Sequence, residues 1–66
     1  MMTISLNGKT IECRHSTLMA LVLENGYDPA SLVAEVNLEV IRQEKWESYR
    51  LKDGDAVELL SFVGGG

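Results

Sequence analysis

The chain has 66 residues, a formal charge of −4 and 45% hydrophobic residues. This bounds it to one small globular domain without room for a deep cleft lined by several catalytic groups, and favours a carrier or binding module over an enzyme. The acidic balance excludes a phosphate backbone as natural partner, so no nucleic acid is expected.

No apolar run approaches the ~20 residues of a membrane span. The start, Met1-Met2-Thr3-Ile4, lacks the charged and long apolar segments of a signal peptide, so no membrane partner is expected. One cysteine cannot close an internal disulfide, and the chain reads as cytoplasmic.

In chain order, Met2, Ile4 and Leu6 alternate with Thr3 and Ser5, the period of a half-buried strand. Asn7-Gly8 then predicts a type I′ hairpin turn, because both central positions need positive φ. A two-residue loop pairs Leu6 with Lys9, Ile4 with Ile11 and Met2 with Cys13, and leaves Thr10 and Glu12 on the solvent side with Thr3 and Ser5. Ser16 and Thr17 are helix-capping types, and Leu18, Leu21 and Val22 recur at helical spacing, so a helix is predicted over residues 18–25. Gly26 supplies its left-handed C′ residue with Tyr27 as the apolar contact beyond it, and Asp28-Pro29 forces an exit.

Residues 32–36 read as a strand, Asn37-Leu38-Glu39 as a turn and Val40-Ile41 as a short return strand. Residues 43–50 read as a helical turn or loop pinned by Trp46 and Tyr49, and residues 52–55 as a turn. The last and longest strand is predicted over residues 56–63, with residues 64–66 as a flexible glycine tail on a single 1–63 domain.

The natural packing lays one helix across one face of a mixed sheet, an α+β two-layer domain. With the helix joining the hairpin to the later strands, the final strand lies parallel to the first at the sheet centre. That is the β-grasp, or ubiquitin-like, arrangement. In it Ile4, Ile11, Leu21, Val36 and Leu59 share one core.

Gly64-Gly65-Gly66 closes the sequence directly behind that strand. Glycines without Cβ atoms form a thin arm that threads a narrow channel and offers a carboxylate to chemistry elsewhere. The carboxylate is a poor electrophile and needs activation, most simply by ATP to an acyl-adenylate. The competing reading is an unordered chain end.

Several pieces resemble the ThiS family of thiamine-biosynthesis sulfur carriers. They are Asn7-Gly8, Val36-Asn37 with Glu39-Val40, Arg42 followed by Trp46, and Leu51 with Gly54-Asp55. Val57-Glu58-Leu59 and Phe62-Val63-Gly64-Gly65-Gly66 complete them. The resemblance spans nearly the whole chain. It implies a protein co-substrate with no bound cofactor, whose Gly66 carboxylate is adenylated by a ThiF-like adenylyltransferase that consumes ATP. Sulfur from a cysteine-desulfurase pathway then gives a thiocarboxylate, which a ThiG-like thiazole synthase uses. Ile41 stands where that family often carries a proline, and Cys13 and His15 are not among its characteristic residues.

By the same resemblance Gly64 and Gly65 thread the partner's channel. Leu60, Phe62 and Val63 are the candidate docking residues. Along the last strand Val57, Leu59 and Val63 share one face, and Ala56, Glu58, Leu60 and Phe62 the other. Only one face meets the helix, so Leu60 and Phe62 are left as an apolar patch beside the tail. Phe62 folding over the sheet edge or onto Trp46 is the alternative.

Cys13 reads as a small core hydrophobe rather than a reactive thiol, and His15 as a surface loop residue without a ligand set, so no metal site is expected. Trp46 and Tyr49 read as packing residues, and Arg42 and Lys45 as salt-bridged or solvated. Rival functions with the same activated tail are a molybdopterin synthase small subunit and a ubiquitin-like protein modifier.

Overall fold

Two turns centred on asparagines organise the sheet. The computed structural model describes residues 1–14 and 16–62, so the expectations for His15, Val63 and Gly64, Gly65 and Gly66 lie outside the described residues. Strands β1 (Met2–Leu6) and β2 (Lys9–Cys13) join through Asn7 (φ 51°) and Gly8 (φ 82°). Both turn residues are left-handed, as a type I′ hairpin requires. The register is the one expected, with Leu6 opposite Lys9, Ile4 opposite Ile11 and Met2 opposite Cys13.

Helix α1 (Leu18–Glu24) has seven residues, too few to hold a helix alone in water, so its caps and packing sustain it. Thr17 is extended (φ −118°, ψ 154°) and its hydroxyl accepts from the Ala20 N–H at 3.2 Å. At the other end Asn25 is the C-cap and Gly26 follows at φ 80°. The Tyr27 N–H then donates to the Val22 carbonyl at 3.2 Å, and the half-buried Tyr27 ring packs against the core. The helix therefore stops one residue earlier than the spacing suggests, because Asn25 already bends into the cap. Asp28 caps a short 3-10 turn, Pro29–Ser31, by accepting from the Ala30 N–H at 3.0 Å.

Strand β3 (Leu32–Val36) alternates buried and half-buried residues. Its hairpin to β4 (Glu39–Ile41) is the second two-residue turn, with Asn37 at φ 54° and Leu38 at φ 70°. Glu39 thus belongs to the strand, opposite Val36, rather than to the turn as its sequence suggests. An apolar side chain rarely takes positive φ. Leu38 does so here while 88% exposed, because contacts made by Asn37 hold the turn.

A 3-10 turn, Gln43–Lys45, leads to Trp46, which is 1% exposed and donates its Nε1–H to the Ile41 carbonyl at 2.8 Å. Tyr49 packs half-buried beside it. Both aromatics are packing residues, as expected.

The last strand, β5 (Ala56–Ser61), is the longest. The sheet order is β2-β1-β5-β3-β4, with β5 parallel to β1 and antiparallel to β3. This is the β-grasp arrangement, with the final strand at the centre. Ile4, Leu21, Val36 and Leu59 are buried in one core under α1, with Cys13 among them. Ile11 shares their face but is only half-buried, since β2 is an edge strand with no neighbour to close over it.

Candidate functional site

The candidate site is the end of β5 from which the glycine tail departs. Along β5 Val57 and Leu59 point into the core, whereas Ala56, Glu58 and Leu60 face the open side of the sheet. Leu60 is 52% and Phe62 56% exposed. Phe62 therefore does not fold onto Trp46; its backbone N–H donates to the Ser31 carbonyl at 3.0 Å, and the ring stays outside the core. The half-buried Val33 lies directly opposite Leu60 on β3, and exposed Val40 opposite Glu35 on β4. Leu60 and Val33 thus form a small apolar patch at the tail end of β5, with Val40 one row away beside Glu35, and such a patch is of the kind that marks a docking surface.

The same face carries a conflict. Glu35 and Glu58 are directly opposite each other, and like charges in that position destabilise a sheet.

The near end of β5 is clamped by polar groups that stand in the quoted motifs but whose pairing with this strand the sequence did not show. Asn37 donates its backbone N–H to the Ala56 carbonyl at 2.7 Å, and its Oδ1 accepts from the Ala56 N–H at 2.9 Å. Its Nδ2 donates to Asp55 Oδ1 at 3.0 Å. Asp55, 4% exposed, takes a further bond on Oδ2 from the Lys52 N–H at 2.8 Å. A buried carboxylate needs such partners to offset its desolvation. On the other side of β5, the Asn7 Oδ1 accepts from the Leu59 N–H at 2.8 Å.

One left-handed asparagine thus stands on each flank of the strand and stitches it to a hairpin turn. The sequence signal was present: an asparagine opens each turn, and Gly54-Asp55 precedes β5. Each pairing nevertheless spans 18 or more residues. The clamp fixes where β5 starts, and hence where its far end delivers the tail.

Cys13 is buried at 3% exposure, under the helix. Arg42 Nε lies 3.8 Å from Glu44 Oε2 with both side chains largely exposed, a pairing worth little. Among the described residues no group of three or more His, Cys, Asp or Glu side chains converges as metal ligands, and no helix is long and apolar enough to cross a membrane.

The ThiS family model matches residues 4–66 of the chain. The sulfur carrier protein ThiS of Bacillus subtilis is 31% identical over 65 residues, covering 96% of this chain and 98% of that protein. A thiazole synthase of Paramagnetospirillum magneticum is 33% identical over 66 residues, which is 98% of this chain but only 20% of that protein's length.

The crystal structure of the thiamine biosynthesis protein ThiS from Geobacter metallireducens superposes with a TM-score of 0.82 at 32% identity, covering 98% of this chain and 100% of that one. A solution structure of a thiamine biosynthesis protein from the same organism gives 0.78 at 36% identity, covering 98% and 88%. With the family model matching residues 4–66 and nearly the whole chain superposing on a ThiS structure, the chain belongs to the ThiS family.

Proposed function

We propose that this chain is a sulfur carrier for thiazole formation in thiamine biosynthesis, with the Gly66 carboxylate as its working group. A cytoplasmic ThiF-like adenylyltransferase transfers AMP from ATP to that carboxylate and releases pyrophosphate. The acyl carbon then carries a good leaving group. The outer sulfur of a persulfide from a cysteine-desulfurase pathway attacks that carbon as the bond to AMP breaks, and a thiol reductant then cleaves the acyl disulfide to leave the sulfur on the carrier. The resulting thiocarboxylate is a soft nucleophile held on a tether, and thiazole synthase takes its sulfur while an oxygen from the acceptor substrate or water restores the carboxylate.

The chain itself supplies no acid, base or metal to these steps. It contributes a rigid body that is recognised and an arm that reaches. Leu60, Phe62 and Val63 are the docking handle, Gly64 and Gly65 the thread, and Gly66 the reacting end.

The observation that carries this reading is the family match, which extends through the glycine end to residue 66. The similarity of nearly the whole chain to part of a thiazole synthase supports that enzyme as the sulfur acceptor.

Intact-mass analysis of the protein from its native host is the test. A chain ending at Gly66 with one oxygen replaced by sulfur is the expected species. Isopeptide adducts on other proteins would instead identify a modifier, and a chain continuing past Gly66 in its mature form would remove the reacting group.

A further inference from the structure

Among the described residues, the backbone of β5 has no partner on one side just before the tail. Its hydrogen bonds alternate between flanks. The carbonyls of Asp55 and Val57 accept from the Ser5 and Asn7 N–H groups at 2.9 Å each, and the Leu59 N–H reaches the Asn7 side chain, all toward β1. Ala56 and Phe62 turn their backbone groups the other way, to Asn37 and Ser31. The period of two therefore aims the N–H and C=O of Ser61 at the β1 flank. On that flank β1 has already ended. Its register with β5 stops at Leu6 opposite Val57, and the chain turns away at Asn7-Gly8. The Asn7 side chain stands in for one missing strand residue, and Ser61 lies beyond its reach, exposed.

We propose that this edge accepts an extended backbone segment of the enzyme that activates the tail, by strand addition at Ser61. The inference rests on the function proposed above and names how the tail is held.

Two observations select that occupant. First, the reacting Gly66 proposed above lies five residues beyond Ser61, so an extended tail would place its carboxylate within ~17 Å of it. A protein that encloses the carboxylate has its surface beside this edge. Second, the edge is unguarded. Natural sheets protect free edges with charges, prolines, bulges or very short strands. Here β2 bears Lys9 and Glu12, and β4 has three residues beginning with Glu39. The β5 edge instead offers Ser61 between the exposed apolar Leu60 and Phe62. Main-chain pairing at Ser61 sets the direction in which the tail leaves, while Leu60 and Phe62 supply the side-chain contacts.

The test removes the Ser61 N–H without changing its side chain, by N-methylation in a full-length chain assembled by ligation. The Ser61→Pro variant is its recombinant counterpart. Neither touches a hydrogen bond of the fold, so the melting temperature should stay within a few degrees of the parent. N-methylation of Phe62, which breaks the bond to Ser31, should lower it clearly.

Calorimetric affinity for the cognate adenylyltransferase should weaken roughly tenfold or more with N-methyl-Ser61, and Ser61→Ala should bind like the parent. Parent-like affinity of the N-methyl-Ser61 chain overturns the inference while leaving the carrier function intact. So does parent self-association that N-methylation abolishes with enzyme binding unchanged, which would mean the edge pairs with a second copy. An enzyme that binds the parent through this edge but performs no ATP–pyrophosphate exchange overturns the carrier function alone. A parent that the enzyme does not bind overturns both.

Discussion

Phe62 and Gly65 sit three residues apart in the sequence, yet their substitution is expected to fail in different ways. Phe62 is 56% exposed and contributes little to the core, so Phe62→Ala should leave folding untouched. If the ring anchors the docked complex, its loss raises the carrier KM for adenylation about 5- to 30-fold, the range of an interface anchor, with a smaller change in kcat. Gly65→Ala acts at the other extreme. A Cβ next to the enzyme-bound nucleotide meets the channel wall and restricts φ, so ATP–pyrophosphate exchange should be abolished with unchanged melting. Equal KM and kcat losses in both variants would contradict this division of labour. Cys13 shows how a residue with chemical potential is read instead as packing. Its strand register opposite Met2 already placed it on the core face, where the fold buries it.

At the level of elements, the two asparagine turns and the glutamate pair make opposite contributions. Asn37→Ala removes side-chain bonds to Ala56 and Asp55 and forces alanine to φ 54°. The left-handed backbone costs about 1–2 kcal/mol and each lost bond about 1 kcal/mol, so stability should fall by about 3–4 kcal/mol. Asn37→Gly loses the same bonds but tolerates the backbone, and should be about 1–2 kcal/mol less damaging than alanine. Urea midpoints of the two variants separate the contributions, and equal midpoints would rule out backbone strain as a cause.

The Glu35–Glu58 pair works the other way. Replacing Glu58 by threonine removes a like charge opposite Glu35 and supplies a better strand former. Glu58→Thr should therefore gain about 0.2–1 kcal/mol in thermal unfolding. Added salt should shrink the gain, because it screens the repulsion in the parent.

For the molecule as a whole, stability is small and concentrated in a few side chains. A 66-residue domain holds roughly 3–10 kcal/mol in total. Trp46 is among the largest fully buried side chains and ties the loop after β4 to the core, with Leu18 and Met19 receiving backbone partners from Tyr49 and Trp46. Trp46→Ala should cost about 3–5 kcal/mol and leave a large unfolded fraction at room temperature, whereas Trp46→Phe should retain a cooperative transition. Amide dispersion in the NMR spectrum and the sharpness of the urea transition distinguish the two results. Trp46 is also the only tryptophan, so its emission shift follows unfolding of the intact protein directly.

What the sequence determined by itself is what short-range physics decides. Asn7-Gly8 strongly favours a left-handed pair of turn residues, so the first hairpin and its register were legible. The helix was marked by Ser16-Thr17 at one end and Gly26 at the other, and alternation along β5 separated its two faces. The tail chemistry was legible as a composition at one place, through its resemblance to a family.

The tertiary structure alone decided what depends on distant partners. Leu38 carries no local signal for positive φ; it adopts it because Asn37 is bonded to Ala56 and Asp55 across 18 or more residues. Ile11 matched the core pattern but lies on an edge strand, so the missing neighbour, not its own polarity, left it half-buried. Ser61 is unremarkable as a residue. Only the parallel pairing of β5 with β1, and the early end of β1 at Leu6, turned its backbone into an open edge beside the tail. Turns and periodicities are set by neighbours in sequence, whereas the clamp and the edge exist only once strands from opposite ends of the chain lie side by side.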